Sequence, residues 1–324
     1  MKARTRIWRI VKRVALILAI LVAAFFFIVV PWFFTHLITT RRFTFPDRNN
    51  GKTPKTYGMD FQWVEFHSRD GVLLKGWYIP ATNKPRGTIV YCHGLNRNRV
   101  ELLPEAEFGH ELDYNGLLSD FRHAGQSGGE ITTLGYQERL DVLAAVECAL
   151  NQEGAKRPVV LWGISMGAAA ALMAAAESPD VAAVISDSSF LSFRHTIEHH
   201  WRLFFHLPSF PIADEVIYAT AFRGDFKPSD FDLEKAVQQI GTRPILFVGR
   251  EGDRRMPPEI ARRLYGDAAS PLKDLLIVPG SRHGEAFNQQ TKMYKEEVTR
   301  FLERLQGEGI SKETKSGSPA PSLK

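Results

Sequence analysis

Apolar and polar positions divide this chain into one long uninterrupted apolar run followed by many short ones. Residues 14–34, VALILAILVAAFFFIVVPWFF, contain no charge and match the roughly 20 residues a helix needs to cross the hydrocarbon layer. Trp8 precedes the run and Trp32 sits near its end, where amphipathic rings favour the membrane–water boundary. The pattern predicts a transmembrane helix over 14–38 and a linker over 39–59. A cleaved secretory signal is the alternative, but the run is long for one and no A-x-A site follows it.

From residue 60 the period shortens. FQWVEFHS and VLLKGWYIP flank Arg69, Asp70 and Gly71, which predicts a β-hairpin. GTIVYCHG is a short, nearly continuous apolar run ending in Gly, as strands buried on both faces are, and YNGLLSDF, PVVLWG, VAAVISD, PILFVG and KDLLIVPG follow as further strands. Helical patterns lie between them. Leu140, Leu143, Val146 and Leu150 recur at three- and four-residue spacing, predicting a helix that turns Glu138 and Asp141 to solvent, although Glu147 falls within the apolar arc. AAAALMAAA, PEIARRLY and residues 289–305 predict three more helices. This alternation predicts an α/β class, with a mostly parallel eight-stranded sheet covered by helices on both faces over 60–306. Residues 190–232, dense in aromatics and histidines, break the alternation and read as a helical cap over the C-terminal edge of the sheet, where ligands bind in open α/β sheets. Pro208 and Pro211 predict short helices there. Residues 307–324, rich in Gly, Ser, Pro and Lys, read as a disordered tail.

Charge narrows the function classes. The formal net charge is +5, but the basic arm over 1–13 alone holds six positive charges and no acid. The remainder is therefore slightly acidic, which removes the electrostatic basis for nucleic-acid binding. The same arm predicts a cytoplasmic N-terminus, a single pass through the cell membrane and a folded domain on the extracytoplasmic side. Arg41, Arg42 and Arg48 oppose that orientation without reversing it. Two cysteines, Cys92 and Cys148, are too few for a disulfide framework and read as free thiols.

The strongest chemical signal is VVLWGISMGAAAAL, in which Gly163, Ser165 and Gly167 form G-x-S-x-G between a Val-rich strand and an Ala-rich helix. Such a strand-to-helix turn lifts a serine hydroxyl above the sheet edge. A nucleophilic serine needs N–H donors for the developing oxyanion. The candidates are Met166, which follows the serine, and Leu95, in the YCHGLNRN loop after an earlier strand, with His93 as a brace. Of ten histidines, His283 lies in the loop after the last strand and is the candidate base, whereas His195, His199, His200 and His206 lie in the cap. Asp253, after the penultimate strand, is the candidate acid, and Asp187, one strand earlier, is the runner-up. The order Ser165, Asp253, His283 is that expected of one Ser-His-Asp fold among several. Without H-E-x-x-H, G-x-G-x-x-G after a strand, or G-x-x-x-x-G-K-[ST], no metal or nucleotide cofactor is predicted.

FHSRDGVLLKGWYIP, YCHGLNRN, DFRHAGQSGG, GISMG, GREGDRRMP and SRHGEAF occur in one order along residues 60–305. In this the chain resembles the α/β-hydrolase superfamily, nearest its serine-esterase and aminopeptidase-like branch. The resemblance implies a triad of Ser165, Asp253 and His283, oxyanion donors at Leu95 and Met166, and a structural loop containing Asp120, Arg122 and Gly125. His123 stands where that family usually has Gly.

The chemistry expected is acyl transfer to Ser165 and hydrolysis of the acyl-enzyme. The aromatic cap and the apolar helix favour a hydrophobic acyl ester or a lipid-derived substrate, with membrane lipid as a second partner through the helix. A peptidase or acyltransferase on the same triad, and a non-catalytic membrane-anchored scaffold, stay open as alternatives.

Overall fold

The computed structural model describes residues 2–40 and 47–316, with backbone alone at residues 2–5 and 307–316. Its N-terminal part is one continuous helical rod made of α1 (Lys2–Ala24), a π-helical turn (Phe25–Val29) and α2 (Val30–Thr40). Pro31 explains the π turn: it has no N–H to donate, and its ring crowds the carbonyl one turn back, so the ladder widens. The Val30 N–H accordingly bonds to Phe25 O, five residues back. Residues 6–40 are long and apolar enough to cross a membrane. The rod thus begins before residue 14 and ends after residue 38, because neither the basic arm nor THLITT contains a helix breaker. Residues 41–46 of the predicted linker lie outside the described residues.

The sheet contains β1 (Gln62–His67), β2 (Leu73–Ile79), β3 (Gly87–Cys92), β4 (Tyr114–Ser119), β5 (Val159–Ile164), β6 (Val181–Asp187), β7 (Ile245–Arg250) and β8 (Lys273–Val278). Their spatial order is β1-β2-β4-β3-β5-β6-β7-β8. Only β2 runs against its neighbours; every pair from β4 to β8 is parallel. Helices α3 (Leu103–Glu111), α4 (Glu138–Leu150), α5 (Met166–Glu177), α6 (Phe193–Phe205), α7 (Ile212–Arg223), α8 (Leu233–Gln239), α9 (Pro258–Asp267), α10 (Ala286–Gln289) and α11 (Thr291–Ser316) complete the domain.

Strand alternation sends successive side chains to opposite faces, so the central sheet feeds two cores. Val159 and Leu161 join the core under α4, α5, α8 and α9. Val160 and Trp162 join the one under α3 and α11. Burial on both faces is why these strands read as continuous apolar runs.

Three expectations are corrected. Glu138 and Asp141 are buried rather than turned to solvent. Glu138 accepts from the Thr132 and Thr133 hydroxyls and the Thr133 and Gly135 N–H groups, and Asp141 pairs with Arg122 at 2.6 Å. Acids stay buried where partners of this kind replace water. The cap helices α6 and α7, of 13 and 12 residues, are of ordinary length, because Pro208 and Pro211 fall in the turn between them. Finally, α11 runs to Ser316, past the predicted start of the tail. Residues 317–324 lie outside the described residues.

Candidate active site

Ser165 occupies the turn between β5 and α5 with φ 56° and ψ −117°. A non-glycine residue held there carries about 1–3 kcal/mol of strain, which persists only where its surroundings enforce it. The Ser165 N–H donates to Asp187 O at 2.8 Å, and its carbonyl accepts from the Ala169 N–H at 3.1 Å. The flanking glycines allow the close approach: a Cβ on Gly163 would lie 2.5 Å from Gly167 backbone, and one on Gly167 would lie 2.0 Å from Cys92 O.

The loop after β8 brings His283 to this hydroxyl. His283 Nδ1 lies 2.6 Å from Asp253 Oδ2, and Nε2 lies 2.8 Å from Ser165 Oγ. An ionised carboxylate only accepts, so Nδ1–H is the donor to Asp253 and Nε2 is left to accept the serine proton. Asp253 is fastened at its other oxygen by the N–H groups of Arg255 (2.9 Å) and Met256 (3.0 Å). Burial alone would raise its carboxyl pKa, but the hydrogen bond and charge of His283 and those two amides outweigh burial and hold it below the usual value. Hydroxyl, imidazole and carboxylate thus stand in the geometry of a serine-hydrolase triad.

Asp187 lies close by but serves another purpose. Its two oxygens accept from Ser188 Oγ at 2.8 Å and from Tyr294 OH at 3.1 Å, and burial pushes its carboxyl pKa up to about 6. Arg250, fully buried, donates to Pro279 O at 3.0 Å and to Gln289 Oε1 at 2.7 Å. It thereby ties the start of the His283 loop to α10.

On the opposite side of Ser165, the loop after β3 carries Gly94 and Leu95. A Cβ on Gly94 would lie 3.7 Å from Ser165 Cβ. Neither the Leu95 nor the Met166 N–H has a hydrogen-bond partner among the described residues, so both stay available to a ligand oxygen. His93 is buried and neutral in its role: Nδ1–H donates to Gly94 O at 2.8 Å and Nε2 accepts from the Phe121 N–H at 3.0 Å, while burial lowers its pKa.

Sequence reasoning missed Glu101, whose carboxylate accepts from the Gly94 N–H at 2.6 Å and pairs with Arg97 at 3.1 Å. The i,i+4 spacing of Arg97 and Glu101 directly after the HG dipeptide was the available signal.

The Asp120–Gly129 loop is held by charge. Asp120 accepts from the Arg99 N–H (2.9 Å) and the Gln126 N–H (2.8 Å), and Arg122 bridges Asp70 and Asp141. His123 sits at φ 58°, the left-handed conformation that glycine adopts without cost.

The cap histidines point elsewhere. His199 Nε2–H donates to Arg254 O at 2.8 Å, which ties α6 to the residue after Asp253. His200 Nδ1–H donates to Thr196 O at 2.8 Å. His195 stacks on His199, and His206 ends α6 in a left-handed conformation. Of the cap aromatics, Phe190, Phe193 and Trp201 pack inward, whereas Phe204, Phe205, Phe210 and Tyr218 stay exposed.

Comparison with known proteins agrees with this architecture. A family model described as alpha/beta hydrolase fold matches residues 87–216. The chain is 28% identical over 237 residues to YqkD of Bacillus subtilis, covering 72% of this chain and 77% of that protein. It is 27% identical over 304 residues to YfhR of Escherichia coli K12, covering 90% and 95%. Among solved structures, the esterase Pf2001 of Pyrococcus furiosus superimposes with a TM-score of 0.67 at 24% identity, covering 82% of this chain and 98% of that one. The chain therefore has the α/β-hydrolase fold.

Proposed function

We propose that this chain, an α/β-hydrolase-fold protein with a serine-hydrolase triad, cleaves esters of hydrophobic acyl groups while anchored to a membrane by its N-terminal rod. The observation that carries the proposal is the unbroken relay from Ser165 Oγ through His283 to Asp253, with links of 2.8 and 2.6 Å.

His283 takes the Ser165 proton as the hydroxyl oxygen attacks the acyl carbon. The oxyanion that forms is held by the Leu95 and Met166 N–H groups, the second at the start of α5, where the helix dipole adds to the hydrogen bond. His283 then returns the proton to the leaving alcohol. A water, deprotonated by the same imidazole, attacks the acyl-enzyme and restores the serine. Asp253 keeps Nδ1 protonated and balances the imidazolium in each half-reaction.

That the Pyrococcus protein is an esterase supports an ester as substrate. The exposed cap aromatics and the apolar rod favour a hydrophobic acyl group and contact with membrane lipid. The basic arm supports a cytoplasmic N-terminus with the hydrolase domain on the other side of the cell membrane. The test is hydrolysis of a p-nitrophenyl ester series by purified full-length protein. Ser165→Ala should lower kcat by about 10⁴- to 10⁶-fold. Undiminished turnover in that variant refutes the proposal.

A further inference from the structure

The cap and the N-terminal rod are joined, which has consequences for how substrate arrives. Phe34 of α2 packs edge-on against Phe205 at 5.2 Å and Trp201 at 5.4 Å between ring centroids, both on α6. Further along, Thr35 Oγ1 accepts from Thr220 Oγ1 of α7 at 3.4 Å, and Thr39 O accepts from the Thr132 N–H at 2.9 Å. These contacts follow one another along α2, to α6, to α7 and then to the loop before α4, and α2 packs along α7, so the rod is fastened to the folded domain along its last turns rather than swinging from a hinge.

That attachment sets a depth. Counting from Val14, the first residue after Arg13, about 20 residues at about 1.5 Å each traverse the roughly 30 Å hydrocarbon layer. The far boundary then falls close to Phe34, the ring that touches the cap. Phe205, the last residue of α6, meets Phe34 at this level, and the apolar side chains in and beside the turn that follows are exposed: Phe204 is 60% exposed, Leu207 52% and Phe210 76%, with Phe205 at 42% even beside Phe34. Between Glu198 and Asp214 there is no acid, and Arg202 is the only arginine or lysine. Such a surface is unfavourable in water and suits the interface of a bilayer, where aromatic rings and arginine are both tolerated.

Resting on the membrane-anchor reading above, we propose that the α6–α7 turn is a wedge embedded in the bilayer interface beside the rod. Phe204, Leu207 and Phe210 enter the acyl-chain region, so that Ser165 draws its ester from the membrane. The same helix links wedge and site: α6 begins at Phe193 and ends at Phe205 in the wedge, and on the way His199 holds Arg254 O next to Asp253.

The test uses full-length protein in vesicles of phosphatidylcholine with a minority of phosphatidylglycerol. Cys148→Ser leaves the buried Cys92, and either Phe210→Cys or the distant exposed Lys84→Cys is then labelled with an environment-sensitive fluorophore. The label at 210 should be quenched severalfold more than that at 84 by lipids carrying a nitroxide high on the acyl chain. The triple variant Phe204→Ser, Leu207→Ser, Phe210→Ser should hydrolyse vesicle-borne p-nitrophenyl palmitate about tenfold more slowly, with p-nitrophenyl acetate in water changed less than about twofold. If the protein floats with the vesicles but aqueous iodide quenches both labels equally, the wedge is overturned and the anchor stands. A 210 label shielded from both iodide and nitroxide lipid indicates a protein contact and also overturns it. If the chain does not float, the anchor reading fails and takes the wedge with it. Absence of both ester activities in the unsubstituted protein would instead count against the hydrolase reading, and the label still decides the wedge.

Discussion

Glu101 accepts the Gly94 N–H at 2.6 Å, one residue before Leu95, whose N–H is the proposed oxyanion donor. Burial pushes the Glu101 carboxyl pKa up to about 7, against the opposing pull of the Gly94 amide and Arg97. The ionised form grips the loop with a charge-assisted hydrogen bond, and the protonated form grips it less firmly.

Glu101→Gln should therefore lower kcat/KM about fivefold at about pH 8.5, where the wild-type carboxyl is ionised, and less at about pH 6. The stability trend runs the other way. A folded-state pKa raised above the unfolded value means that the fold binds this proton more tightly than the unfolded chain does. Wild-type stability is therefore lost as the pH rises from about 4.5 through about 7, and the glutamine variant escapes that loss. Urea denaturation at about pH 5.5 and about pH 8.5 reads the difference: the stability of the variant relative to wild type should increase with pH. Parallel curves would contradict this role.

The glycines divide by what surrounds them. A Cβ on Gly167 would overlap Cys92 O at 2.0 Å and His93 O at 2.6 Å, whereas one on Gly266, in α9, would meet nothing within 4 Å. Gly167→Ala should cost about 3 kcal/mol or more, with activity lost as α5 is pushed off β3. Gly266→Ala should stabilise by about 0.5–1 kcal/mol through helix propensity. Thermal denaturation checks both, and equal melting temperatures would contradict the packing described.

Two aspartates lie near the imidazole, but only Asp253 bonds to it. Asp253→Asn should lower kcat by about 10⁴-fold through loss of the tautomer that leaves Nε2 free. Asp187→Asn should lower it by less than about tenfold, since Asp187 bonds to Ser188 and Tyr294 instead. Comparable losses in the two variants would contradict the assignment of the acid.

Much of the framework is legible in the chain because local chemistry and global fold demand the same residues. Gly163 and Gly167 announce the elbow since no side chain fits there, and the two-faced burial of β3 to β7 leaves continuous apolar runs. The misses share a cause: Glu138, Asp141 and Glu101 look like surface acids, and their partners, Thr133, Arg122 and Gly94, are recognised only once the chain has folded. Helix α3 was not predicted, because LPEAEFGHE mixes buried Glu105 with Gly109 and blurs the stripe. Pro208 and Pro211 predict short helices from the sequence alone, whereas in the fold they separate two helices of ordinary length. The attachment of Phe34 to the cap rings spans about half of the chain and leaves no local pattern.

The central claim is that Ser165 is a nucleophile activated by His283. Purified full-length protein treated with a fluorophosphonate, digested and mapped by mass spectrometry tests it most directly. The account predicts one modified site, Ser165, with labelling slowed at least about 10³-fold in His283→Ala and abolished in Ser165→Ala. Absence of label in the folded wild-type protein, or label on another serine with Ser165 untouched, would contradict it.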